Sequence, residues 1–254
     1  MSEFIPVRAF DDNYIWVLRG GTHAAVVDPG DADPVLEYLA AQNLRLAAVL
    51  VTHHHPDHIG GIEELIERHP APVYGPRAEK IPGRTHGLGG GDHIRIDEID
   101  VAFTVLDIPG HTSGHIAYYG VDSLLCGDTL FACGCGRVFE GTAEQMHASL
   151  RRLAALPDAT RVYCAHEYTL ANIAFARAVE PDNTALAKRE SEARALREAD
   201  RPTLPSTIAY EKETNPFLRC HEPSVATAAA HRAGHALPTP VQVFAAVREW
   251  KNRF

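Results

Sequence analysis

His53, His55, Asp57 and His58 fall within six residues, inside the run Thr52-His53-His54-His55-Pro56-Asp57-His58-Ile59-Gly60-Gly61. Neutral imidazole and carboxylate are the donors that borderline divalent metals such as zinc take. The spacing H-x-H-x-D-H carries more than the count. In an extended segment side chains alternate faces, so His53, His55 and Asp57 are expected to project to one side. His58 then follows around the turn, where it can address a second ion. Leu46-Ala47-Ala48-Val49-Leu50-Val51 precedes this run and has the length and β-branched ending of a strand. Pro56 and the glycine pair stop it, which puts the polar residues on a loop at the strand's C-terminal end.

The same arrangement, an apolar strand ending in a glycine-flanked or strand-terminal donor, returns three times. Val101–Leu106 runs on to Ile108-Pro109-Gly110-His111, Ser123–Cys126 ends in Gly127-Asp128, and Arg161–Ala165 ends at His166. Donors on the ends of neighbouring strands converge in space even when far apart in the chain. One Gly-His or Gly-Asp alone would read as a turn; four in succession read as a metal centre. Cys133 and Cys135, a C-x-C pair beside a glycine, are the competing candidates for thiol chemistry. The remaining histidines, His23, His69, His86, His93, His221, His231 and His235 among them, read as surface or structural.

The elements that must position these residues follow in order. Phe10–Leu18 is a turn feeding a strand, and His23–Gly30 carries its partner. Asp33 as N-cap with Pro34 at the first helical position opens a helix to about Gln42. Gly61 to about Arg68 forms a short helix with Ile62, Leu65 and Ile66 on one face, and Val73-Tyr74 a short strand. Two strands with a turn near Asp97-Glu98 fill Asp92–Asp107, and a strand pair covers Ile116–Cys126. A glycine-rich loop from Cys133 to Gly136 precedes a helix from Thr142 to about Leu156. Arg161–Ala165 is expected to be the last strand. From Glu167 onward only helices are expected, near 169–179, 182–199, 223–233 and 240–251, so the natural cut falls near residue 167. Mixed strand pairs and helices indicate an α/β layered fold.

Hydrophobic content of 45% and charged content of 22% are those of a globular protein with ample core. A net charge of -9 without a basic stripe excludes phosphate-backbone recognition, hence nucleic acid. Two divalent ions would nonetheless make the site locally positive and suited to an anionic substrate. No stretch has membrane-spanning length, and the N-terminal residues lack an apolar signal region. Five cysteines without disulfide spacing fit a reducing cytoplasm.

Taken together these blocks resemble the metallo-β-lactamase superfamily, and more narrowly glyoxalase II, the hydroxyacylglutathione hydrolases. The resemblance also rests on Gly127-Asp128-Thr129-Leu130-Phe131, Gly134-Cys135-Gly136-Arg137, Phe139-Glu140-Gly141-Thr142 and Ala165-His166-Glu167-Tyr168-Thr169. Asn215-Pro216-Phe217-Leu218-Arg219 and Ala246-Val247-Arg248-Glu249-Trp250-Lys251 extend it to the C-terminal region. It implies an αββα sandwich over 1–166 followed by a smaller α-helical glutathione-binding domain over 167–254. It implies one metal on His53, His55 and His111, a second on Asp57, His58 and His166, and Asp128 bridging them, with His54 not a ligand. Two divalent ions are implied, zinc first, with iron or manganese as alternatives. The implied substrate is a glutathione thioester such as S-D-lactoylglutathione, hydrolysed by a monomer to glutathione and D-lactate, the second step of methylglyoxal detoxification. Asp57 and Asp128 are the implied catalytic carboxylates.

Arg248 and Lys251, at i and i+3 on the helix expected near 240–251, share a face and match the family's glycine-carboxylate site. Tyr168 matches a tyrosine contacting the cysteinyl part, and Arg137 a basic residue touching the peptide. Arg137 stands where lysine also occurs, and Phe139 stands where some relatives carry a tyrosine hydroxyl. The alternatives are a glutathione persulfide dioxygenase with a single iron, a lactonase or β-lactamase, and a non-catalytic metal-binding protein.

Overall fold

A computed structural model describes residues 3–254. Its first sheet contains β1 (Glu3–Ala9), β2 (Asn13–Gly20), β3 (His23–Val27), β4 (Arg45–Leu50), β5 (Val73–Pro76) and β6 (His86–Leu88), in that spatial order. Strand β1 was not expected from its sequence; it pairs antiparallel with β2 along its whole length. Period-two alternation sorts β2 cleanly. Tyr14, Trp16 and Leu18 enter the core between the sheets, while Ile15 and Val17 face the outer cluster. That outer cluster is closed by helix α1 (Asp33–Ala41) and by α3 (Ile62–Arg68), which follows the short helix α2 (Pro56–Ile59).

The second sheet has the order β14-β13-β10-β9-β8-β7. Its members are β7 (His93–Ile96), β8 (Val101–Asp107), β9 (Ile116–Gly120), β10 (Ser123–Gly127), β13 (Arg161–Cys164) and β14 (Ser206–Thr207). Strands β11 (Leu130–Phe131) and β12 (Gly134–Cys135) form a hairpin whose second strand falls in the glycine-rich stretch Cys133–Gly136 expected to be plain loop. Helix α4 (Ala143–Ala154) starts at Thr142, whose hydroxyl accepts from Gln145 N while the Gln145 side chain reciprocates. It packs Met146, Leu150 and Leu153 into the same cluster as the second sheet. Helix, sheet, sheet, helix is the αββα sandwich.

Helices α5 (Thr169–Val179), α6 (Thr184–Glu198), α7 (Ile208–Thr214), α8 (Pro223–Ala233) and α9 (Pro240–Asn252) follow. Phe175, Phe244 and Val247 from these helices, with Phe217 from the loop after α7, continue the central cluster.

Three expectations are corrected. The N-cap of α1 is Ala32, not Asp33, and its help comes from Asp31, whose Oδ1 accepts from Asp33 N at 3.1 Å. Strand β13 is not the last, because β14 pairs antiparallel with it, so the C-terminal region is not wholly helical. Helix α7 lies where no helix was expected.

Parallel pairing positions the site. Strands β3 and β4 run parallel with Val27 opposite Leu50, so Asp28 emerges beside Thr52. Strands β10 and β13 are also parallel, with Gly127 opposite Cys164, so Asp128 and His166 leave neighbouring strand ends. The two sheets are tied there: Trp16 Nε1 donates to Cys164 O at 2.9 Å and Tyr14 N to Ala165 O at 2.7 Å.

Candidate metal centre

The backbone turns that deliver the donors depend on two glycines. Gly127 has φ +48°, and a Cβ there would lie 2.3 Å from Thr52 Oγ1. At Gly30 a Cβ would lie 1.9 Å from Asp57 O, so only glycine lets that loop pass beneath the metal-binding run.

His53, His55 and His111 form one group and Asp57, His58 and His166 another, each with ligand atoms within 4.8 Å of one another. Asp57 therefore does not share a group with His53 and His55, as strand alternation suggested. Pro56 begins the helical turn α2, which swings Asp57 round to join His58. In the first group His55 Nδ1 lies 3.1 Å from His53 Nε2 and 2.9 Å from His111 Nε2. Asp128 stands between the groups. Its Oδ1 is 3.4 Å from His58 Nε2 and 3.3 Å from His166 Nε2, and its Oδ2 is 3.5 Å from His111 Nε2.

Surrounding acceptors choose the tautomers. The Thr52 hydroxyl donates to Asp28 Oδ2 at 2.7 Å, so its oxygen accepts from His53 Nδ1 at 3.0 Å. His111 Nδ1 donates to Arg137 O and His166 Nδ1 to Asp12 Oδ1, both at 2.8 Å. The Nε2 of His53 and that of His111 are thereby left with lone pairs aimed into the centre, while His166 Nε2 faces Asp128. Burial holds His53 and His111 below the ordinary imidazole range, which keeps them neutral. Burial would raise Asp128, but His58 and His166 outweigh it and keep the carboxylate ionised. Neutral imidazoles and charged carboxylates are the metal-binding forms.

The residues fit a pair of cations. His58 Nε2 and Asp128 Oδ1 are buried without a hydrogen-bond partner among the described residues, a costly state unless a cation takes both. Three lone pairs converging within the first group present the same demand.

A cavity of about 430 Å³ opens beside the centre. His111, Asp128, Arg137, Tyr168, Arg248 and Lys251 line it, so every expected substrate contact meets the metal-facing residues there. Tyr168 stacks on His166 with rings 4.7 Å apart and nearly parallel. Arg248 is buried and Nη1 donates to Cys135 O at 2.7 Å, so part of its donor capacity holds β12. Lys251 Nζ donates to Ala171 O at 3.3 Å. Phe139 is exposed, with its ring against His55 and His111. A larger cavity of about 1010 Å³ lies among α5, α6, α8 and α9, away from these donors.

The superfamily model for metallo-β-lactamases matches residues 8–166, and the model for the hydroxyacylglutathione hydrolase C-terminus matches 167–254. A hydroxyacylglutathione hydrolase of Nitrosomonas eutropha is 58% identical over the whole of both chains. The chain belongs to the hydroxyacylglutathione hydrolase family. A second relative of that description, from Pseudomonas aeruginosa, is 56% identical, again over both full lengths. Among solved structures, ETHE1 from Myxococcus xanthus aligns with TM-score 0.65 at 27% identity, covering 99% of this chain and 98% of that one. TTHA1623 in a di-iron-bound form aligns with TM-score 0.61 at 26% identity, covering 84% of this chain and all of that one. The superfamily fold and the His/Asp cluster support divalent-metal binding by this family member.

Several supporting residues escaped the sequence reading. Asp28 also accepts from Thr52 N at 2.7 Å and lies 3.2 Å from His58 Nδ1. Asn13 Nδ2 donates to Asp57 Oδ2 at 3.1 Å. His115 stacks on His53, and its Nε2 accepts from Asp128 N at 3.3 Å. Asp28 carried a usable signal, since it too ends a strand before Pro29-Gly30. Glu79, buried below the run, carried none.

Proposed function

We propose that this chain hydrolyses S-(2-hydroxyacyl)glutathione thioesters, S-D-lactoylglutathione among them, releasing glutathione and the 2-hydroxy acid. That reaction is the second step in disposing of methylglyoxal. The ligand sets proposed are His53, His55 and His111 for one ion and Asp57, His58 and His166 for the other, with Asp128 common to both. The observation that carries the reading is Asp128, one oxygen toward each group, on the wall of the cavity that reaches Arg248 and Lys251.

Two divalent ions held by those ligands, zinc first among the candidates, would supply a hydroxide at neutral pH and polarise an acyl carbonyl. The chain's own residues do the rest. Asp57, fixed by Asn13, is half-exposed and accepts the hydrogen bond that orients the attacking oxygen. Hydroxide adds to the acyl carbon, the C–S bond breaks, and sulfur leaves as thiolate, which takes from solvent the proton that water gave up in forming the hydroxide, while the 2-hydroxy acid leaves ionised. Burial pushes the Tyr168 hydroxyl up, so it stays protonated and can donate to the cysteinyl part of the substrate. Arg248 and Lys251 provide the carboxylate clamp, and Arg137 adds charge at the rim.

Residues 1–166 would then be the catalytic unit and 167–254 the glutathione-binding unit. Five buried, unpaired thiols support a reducing cytoplasm as its location. No helix among the described residues is long and apolar enough to cross a membrane. A single-iron dioxygenase would leave one donor group unused.

The test is hydrolysis of S-D-lactoylglutathione by protein of known metal content, followed by loss of thioester absorbance. Turnover that falls in Arg248→Ala with two ions retained supports the reading. No hydrolysis at full metal loading overturns it, and glutathione persulfide with oxygen becomes the next substrate to try.

A further inference from the structure

We infer that Glu79 is a positioning residue for the His53–His55–His111 group, acting through His54 and the loop that carries His111. The inference rests on the metal-centre reading above. Glu79 lies in the turn after β5 and is only 7% exposed. A carboxylate is buried at large cost unless its oxygens are satisfied. Oε1 accepts from the Thr112 hydroxyl at 2.6 Å and from Gly114 N at 3.0 Å, and Oε2 accepts from His54 Nδ1 at 2.9 Å.

Those partners adjoin all three donors. His54 sits between His53 and His55, and Thr112 follows His111. One buried side chain therefore ties together two loops that are far apart in sequence. The turn holding it is itself fixed, because Arg84 Nη1 donates to Glu79 O at 2.6 Å. Glu140 adds a more exposed strut, with Oε1 3.2 Å from His54 Nε2 and Oε2 accepting from Ser113 N at 2.8 Å. No room is left for slack: a Cβ on Gly114 would lie 2.6 Å from Glu79 Cγ.

The brace is one-sided. Asp57, His58 and His166 are supported by Asn13, Asp28 and Asp12 instead. Loss of Glu79 should therefore weaken one ion and spare the other. A residue needed only for folding would not discriminate between them.

The experiment is metal titration of Glu79→Ala and Glu79→Gln against a competing chelator, with thermal unfolding of the metal-free proteins measured alongside. In Glu79→Ala one of two ions should bind roughly 10- to 100-fold more weakly while the other keeps wild-type affinity. Glu79→Gln keeps an acceptor oxygen and should recover part of the loss. If Glu79→Ala does not fold, the Gln variant carries the test with a smaller, still one-sided effect. Two wild-type affinities, or equal weakening of both ions, would overturn the inference. Wild-type protein that fails to hold two ions would sink the metal-centre reading, and this inference with it.

Discussion

Lys251 is half-buried against Phe175 and Phe254, and burial first, then Arg248, brings its pKa down to about 8. Below that pH it is an ammonium able to hold a carboxylate; above it the charge is lost. The expected outcome is a fall in kcat/KM for the thioester above about pH 8, carried mainly by KM. Lys251→Arg should abolish that limb, since guanidinium stays charged throughout. Folding responds with the opposite sign. Between about 8 and the ordinary value of 10.5 the unfolded chain binds the proton more tightly, so stability rises with pH over that window. Asp128→Ala, which removes the carboxylate shared by both groups, should lower the bound-ion count and kcat together. An unchanged count measured by metal analysis would refute its bridging place. Residues like Asp128 were legible because each ends an apolar strand beside a glycine. Glu79 and Asp12 were not, being loop acids whose meaning comes only from what the fold sets beside them.

Among the elements, the link between α6, α7 and the β11–β12 hairpin is a buried ionic network. Glu211 is fully buried; it accepts from Arg189 at 2.6 Å, from Cys133 N at 2.9 Å and from Asn215 Nδ2 at 2.9 Å. Asn215 Nδ2 also donates to Gly134 O at 2.9 Å. Glu211→Ala leaves the Arg189 charge buried and unpaired, which should cost about 3–5 kcal/mol in urea unfolding. A loss below about 1 kcal/mol, the range of an exposed pair, would show the network to be dispensable. Strands such as β2, an unbroken apolar run, and β8, which alternates buried and more exposed residues, could be read from the sequence. Strand β14 could not, because two residues carry no period and become a strand only through β13. Helix α7, seven residues long, sits just past Pro202 and Pro205, which hid it. The place of Asp57 failed for a similar reason: Pro56 ends the alternation one residue too early.

For the molecule as a whole, the net charge of -9 and the cluster of ionised carboxylates make metal loss a stability event. An ion present at a hundred times its dissociation constant adds about 2.7 kcal/mol per site. Chelation should therefore lower Tm, and zinc should restore it in two steps visible by calorimetry. A Tm indifferent to chelator would refute a metal-filled centre. A layered α/β fold was legible from the order of strands and helices, and the sandwich itself from the resemblance of the donor blocks to the superfamily. The route by which the last helices join the sandwich was not.

That route has a consequence beyond substrate binding. Ser206 and Thr207 pair with Val162 and Arg161 on the flank of the second sheet. Trimmed after His166, the chain would lose the two residues that pair with Arg161 and Val162 and so leave that edge of β13 without a neighbouring strand. The last third of the sequence thus also closes part of a sheet edge of the sandwich that precedes it.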